Sequence, residues 1–215
     1  MTTPLTLDEL ERRLLSLSPD RRHLVALVGA PGSGKSTTAE TLNDRLNAAD
    51  PGCCSILAMD GYHFDDRVLE ARGHRDRKGA PHTFDVAGLA AMLHRLKAND
   101  GSDIAVPVFD RSLEIARAAA AIIPASSRLV LVEGNYLLLN RAPWSGLKPL
   151  FDLSVFINVP RDVLAERLMA RWLGFGFDEA TARAKAEGND LPNADLILAE
   201  SLPADYRLET SAQHA

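Results

Sequence analysis

Residues 29–36, Gly29-Ala30-Pro31-Gly32-Ser33-Gly34-Lys35-Ser36, match the pattern G-x-x-x-x-G-K-[ST] at every fixed position, and Thr37 follows. Glycines let successive backbone N–H groups curl around an anion with no Cβ atoms in the way. A helix beginning near Lys35 adds its unpaired N–H groups and the positive end of its dipole. Lys35 then reaches the β- and γ-phosphates of a nucleoside triphosphate, and the Ser36 hydroxyl sits on Mg2+. Such a loop says that a triphosphate is held. It leaves open what is done with it.

Other positions carry side chains suited to phosphate chemistry. Asp60, in Asp60-Gly61-Tyr62-His63, is a carboxylate that can accept the proton of an attacking hydroxyl. Asp-Gly is also a favoured turn dipeptide, so the spacing leaves both roles open. Glu133 follows four apolar residues and suits Mg2+ or its water shell. The pair Asp110-Arg111 either lines an acceptor pocket or forms a surface ion pair. Arg167 and Arg171 stand one helical turn apart, as on a lid that neutralises charge during transfer, or on a plain exposed basic face.

The elements that must position these residues alternate along the chain. Apolar runs predict strands at Leu24–Val28, Ser55–Met59, Ile104–Phe109, Leu129–Val132 and Leu153–Val159. Helical spacing appears after the glycine loop (Leu42, Leu46), over Val86–Ala98 and over Val163–Leu173. The alanine run Ala116–Ala121 reads as helix, and an amphipathic helix is expected within residues 1–20. Near-continuous apolar strands with helical crossovers predict a parallel sheet covered on both faces, with ligands beyond the carboxyl ends of its strands.

The chain has 215 residues, 46% of them hydrophobic, enough for one domain with a good core. A net charge of −5 argues against nucleic acid as the main partner, although basic residues cluster at Arg72–Lys78. The only cysteines, Cys53 and Cys54, are adjacent and too few for a disulfide framework, which points to a reducing, cytoplasmic setting. No signal peptide or apolar run of membrane-spanning length is present, so a soluble protein with no membrane partner is expected.

Taken in order, Gly29–Thr37, Asp60-Gly61-Tyr62-His63, Arg72-Gly73, Lys78-Gly79-Ala80-Pro81, Thr83-Phe84-Asp85, Pro107-Val108-Phe109-Asp110 and Glu133-Gly134 resemble the uridine kinase, phosphoribulokinase and bacterial pantothenate kinase superfamily. The resemblance covers about residues 24–198. The glycine loop is shared by many families, whereas the Arg-Gly…Lys-Gly-x-Pro…Phe-Asp stretch is specific and leans toward pantothenate kinases. Short bacterial proteins of this look are often called nucleoside kinase-like or fructose-transport-associated kinases.

The resemblance implies an α/β, P-loop NTPase-type three-layer sandwich. Its sheet would have five mainly parallel strands, with a small helical lid at about 161–190 and one domain spanning 1–215. It also implies an enzyme, an ATP-dependent kinase with Mg2+ that phosphorylates a hydroxyl of a sugar, nucleoside or pantothenate-like acceptor. Asp60 would be the general base, with Lys35 and Arg171 aiding transfer. Gly29, Ala30, Pro31, Gly32, Ser33, Gly34, Lys35, Ser36 and Thr37 would hold the nucleotide, with Asn189 and Asn193 near adenine. Ser36 and Glu133 would serve the metal. Tyr62, His63, Arg72, Lys78, Asp110 and Arg117 would face the acceptor, and a homodimer would fit the relatives' habit. Two departures fall in the acceptor pocket. Pantothenate kinases usually place a histidine where this chain has Asp110-Arg111, and the His-Ser-Arg element of uridine kinases survives only as Arg117. The alternative reading is an ATPase or regulatory switch without an acceptor. The chain lacks the Asn-Lys-x-Asp guanine reader and the Leu-Ser-Gly-Gly-Gln transporter signature.

Overall fold

A computed structural model describes residues 3–209. Six parallel strands form the main sheet: β1 (Thr3–Leu5), β2 (His23–Val28), β3 (Cys54–Ala58), β6 (Leu129–Gly134), β7 (Leu153–Asn158) and β8 (Tyr206–Glu209), in the order β1-β8-β7-β2-β6-β3. A separate antiparallel hairpin joins β4 (Ile104–Asp110) to β5 (Ile115–Ile123). The helices are α1 (Leu7–Leu15), α2 (Lys35–Ala49), α3 (Asp66–Ala71), α4 (Val86–Ala98), α5 (Arg161–Gly174), α6 (Glu179–Lys185) and α7 (Leu191–Glu200).

The residues of β2 explain the layering. All six are buried, and they split by alternation. Leu24, Ala26 and Val28 join the core beneath α4, together with Tyr136 and Trp144. Val25 and Leu27 join the opposite core, with Leu10 and Leu14 of α1 and Leu42 and Leu46 of α2. Both faces are covered, which is the three-layer α/β sandwich that the resemblance implies.

The sheet itself corrects the sequence reading in three places. It has six strands rather than five, because the short segments β1 and β8 pair along the β7 edge. The run Ile104–Phe109 is not in it. β4 buries Ile104 and Val106 while Ala105 and Pro107 between them are only partly covered, the half-buried alternation of an antiparallel ladder rather than the two-sided burial of a parallel one. The alanine run Ala116–Ala121 is strand, not helix: cross-strand pairing with β4 overrides alanine's helical preference. The ladder shifts register between Val106 and Val108, around Pro107, where a strand tolerates a missing N–H. No helix among the described residues is long and apolar enough to cross a membrane.

Candidate functional site

The glycine loop runs from the end of β2 into α2. Gly32 and Gly34 take φ of 81° and 83°, a left-handed backbone that favours glycine. Space around the would-be Cβ of Gly34 is open for 4 Å, and α2 begins with no side-chain cap. The N–H groups of its first turn therefore face outward beside Lys35, as an anion cradle requires.

Strand register brings the acid to this loop. Leu27 pairs with Glu133 and Val28 with Gly134, so Glu133 stands level with the end of β2. The Ser36 hydroxyl donates to Glu133 Oε2 at 3.2 Å. Burial pushes the Glu133 carboxyl up from its ordinary range, and the nearby Lys35 ammonium pulls it back.

On the other side of β6, β3 ends in a tight turn, Met59–Tyr62, that carries Asp60. Gly61 permits this turn to press on the hairpin: a Cβ there would lie 2.6 Å from the Pro107 carbonyl oxygen. Arg111, at the tip of the same hairpin, reaches back to Asp60 Oδ2 at 2.9 Å. His63 lies 2.8 Å from the Asp60 carbonyl through Nδ1. A carbonyl can only accept, so Nδ1 carries the proton and Nε2 is left as an acceptor. Packed at 4.0 Å from Phe84 and 4.8 Å from Phe109, His63 is held below the usual imidazole pKa by burial.

A cleft of about 620 Å³ joins these parts, lined by Lys35, Asp60, His63, Lys78, Arg111 and Arg171 among others. Its far wall is formed by α5 and α6, followed by a wide π turn at Ala186–Asp190 and then α7. The π turn delivers Asp190, whose Oδ2 accepts from Arg171 Nη2 at 2.9 Å and from Trp172 Nε1 at 2.7 Å. It also touches the loop after α3: Asn189 donates to the Lys78 carbonyl at 3.0 Å. Tyr136 and Trp144 hold the same loop through the Gly79 and Pro81 carbonyls.

Of the residues expected from sequence, Pro31, Lys35, Asp60, His63, Lys78, Arg171, Asn189 and Asn193 line the cleft. Four acceptor residues do not. Tyr62 is buried in the core under α4, with its hydroxyl unpartnered. Arg72 is turned outward onto the Phe64 ring, 4.3 Å from its centroid. Asp110 bonds the Ser112 hydroxyl, and Arg117 pairs with Asp110 at 3.3 Å on the surface. Residues missed by sequence reasoning are Asp190, placed by a π turn that helical periodicity conceals, Trp172 and Lys185, which stand on the regular helices α5 and α6, and Phe84, Phe109 and Asn135. Phe84 and Phe109 lay inside recognised motifs, so their aromatic character was the available signal.

The family model for phosphoribulokinase and uridine kinase matches residues 24–173. The chain belongs to that family. It is therefore a P-loop kinase, a phosphotransferase with a hydroxyl acceptor. It is 36% identical over 202 residues to the uncharacterised Escherichia coli protein YggC, covering 93% of this chain and 83% of that one. A Schizosaccharomyces pombe protein provisionally named a uridine kinase is 30% identical over 213 residues, covering 94% and 89%. A crystal structure from Silicibacter, provisionally titled a fructose transport system kinase, is 43% identical with a TM-score of 0.88, covering 96% of this chain and 100% of that one.

Kinases of this family imply Mg2+, and the donors here suit it. Ser36 and Glu133 offer a hydroxyl and a carboxylate oxygen, and burial leaves that carboxylate in want of positive charge. Mg2+ takes one or two protein oxygens of this kind and completes its shell with phosphate and water.

Proposed function

We propose that the chain transfers the γ-phosphoryl group of ATP to a hydroxyl of a small polyhydroxylated acceptor: a sugar, a nucleoside or a pantothenate-like molecule. One observation carries the reading: Lys35 and Asp60, from the ends of two strands flanking β6, line a single cleft. In it, the N–H groups of residues 32–36 and the Lys35 ammonium hold the triphosphate. Asp60 accepts the proton of the acceptor hydroxyl as its oxygen attacks phosphorus. Arg171, oriented by Asp190, offsets charge spreading over the transferred group. Ser36 and Glu133 would hold Mg2+, which when bound bridges phosphate oxygens and neutralises part of their charge.

The acceptor half supports a ligand with many hydroxyls. Lys78 and Arg75 both face Asp66, at 2.6 and 2.8 Å, and Arg111 faces Asp60. Three cations share two carboxylates, so most of their charge is offset and they serve as hydrogen-bond donors around the aromatic wall of His63, Phe84 and Phe109. The free, buried thiols of Cys53 and Cys54 fit a cytoplasmic setting.

The test is ADP release with ATP and fructose, uridine or pantothenate. Asp60→Asn should bind ATP nearly as the wild type does and lose transfer by about 10²–10⁴-fold. Full transfer in that variant removes Asp60 from the role. Hydrolysis at full rate without any acceptor replaces the kinase reading with an ATPase.

A further inference from the structure

We propose that Lys185 is a second catalytic cation of the lid, one that contacts the γ-phosphate of bound ATP. The inference rests on the kinase reading above. Thr181, Ala184, Lys185 and Gly188 all line the cleft, the i, i+3, i+4, i+7 face of α6 and its continuation. Lys185 closes α6 and lines the same cleft as Pro31 and Lys35 of the glycine loop.

The two cationic lid residues in the cleft differ in how their charge is used. Arg171 is committed to the buried Asp190 at 2.9 Å. Lys185 has no carboxylate within 4.0 Å among the described residues. The acids on its own helix and just beyond, Glu179 and Glu187, face Arg183 instead, at 3.1 and 3.6 Å. The Lys185 ammonium rests over two rings, 4.8 Å from the Trp172 centroid and 4.9 Å from that of Phe177.

An aromatic face holds an ammonium without cancelling its charge, and holds it less firmly than a phosphate oxygen does. Lysine suits this duty, being a compact point charge with three donors on a flexible stem. A triphosphate entering the cleft therefore draws the ammonium off Trp172 and onto its terminal phosphate. ADP, lacking that phosphate, leaves it on the rings.

Calorimetric titration with Mg2+–AMP-PNP and with Mg2+–ADP tests this without any acceptor. Lys185→Gln should weaken AMP-PNP about tenfold, the worth of one charge-assisted hydrogen bond, and leave ADP within about twofold. Lys185→Arg should recover most of the loss. Arg183→Gln, which removes an equal charge from the same helix, should change neither. Wild-type tryptophan emission should respond to AMP-PNP more than to ADP, and that difference should vanish in Lys185→Gln. Equal weakening of both nucleotides, or none, overturns the inference while the kinase reading stands. If the wild type binds neither nucleotide, both fall.

Discussion

Gly61→Ala tests whether the candidate base depends on one backbone contact. A Cβ at Gly61 would stand 2.6 Å from the Pro107 carbonyl oxygen and 2.9 Å from its carbon. Both are backbone atoms, which cannot rotate away as a side chain can. Restoring an ordinary contact of 3.4 Å demands about 0.8 Å of separation between the Asp60 turn and β4. Overpacking of this kind costs about 1–3 kcal/mol. The gap opens across the site itself, because Asp60 precedes Gly61 on one side and Arg111 follows β4 at the hairpin tip on the other. A misplacement near 1 Å costs roughly 10²-fold in transfer. Urea unfolding should therefore report a stability loss of about 1–3 kcal/mol, and transfer should fall about 10²-fold. ATP affinity should hold, since the glycine loop belongs to β2 and α2. Gly146→Ala is the control: nothing lies within 4 Å of that Cβ, so unfolding and transfer should match the wild type. Wild-type stability and wild-type transfer in Gly61→Ala would refute the reasoning. So would an ATP affinity that falls as far as transfer does, because the disturbance would then not be local.

Two further outcomes follow from the buried groups. Glu133→Gln removes a carboxyl whose burial disfavours its charge, so melting temperature at pH 8 should hold or rise. The Mg2+ needed for half-maximal ATP turnover should rise about 10–100-fold, read by magnesium titration, and an unchanged requirement would remove Glu133 from metal binding. His63 is depressed below its unfolded value of 6.5, so the unfolded chain binds its proton first and stability falls as pH drops below about 6.5. His63→Phe should flatten the decline in unfolding free energy between pH 7 and pH 5, and an unchanged slope would refute the assignment.

What was legible in the chain is what local pattern can encode. The spacing of Gly29 to Ser36 forces a phosphate loop, and the apolar runs of β2, β6 and β7 declare buried parallel strands. Helix α4 spans Val86–Ala98 as its leucine spacing predicts. Other features are set by partners far along the chain. Nothing within Ala116–Ala121 says that β4 lies beside it, and β1 is too short, at three residues, to carry a pattern. Tyr62 sits in a motif yet points into the core, because a turn one residue tighter or wider exchanges which neighbours face the cleft. Asp190 was hidden more deeply. A residue in a π turn breaks the 3.6-residue period that reading depends on.

That turn has a consequence for how the segment from α6 to α7 could change over generations. A π turn accommodates one residue more than the helix around it, so Ala186–Asp190 is in effect an insertion held in place by what it delivers. Deleting a single residue there would let α6 run into α7 as ordinary helix. The four residues left would make one ordinary turn, so α7 would keep its face relative to α6 while the residues of the bulge itself were re-aimed. Asp190 would leave Arg171 and Trp172, and Asn189 would leave the Lys78 carbonyl, in one genetic step. The contacts of Asn189 and Asp190 thus depend on how many residues the turn holds as much as on which side chains stand there.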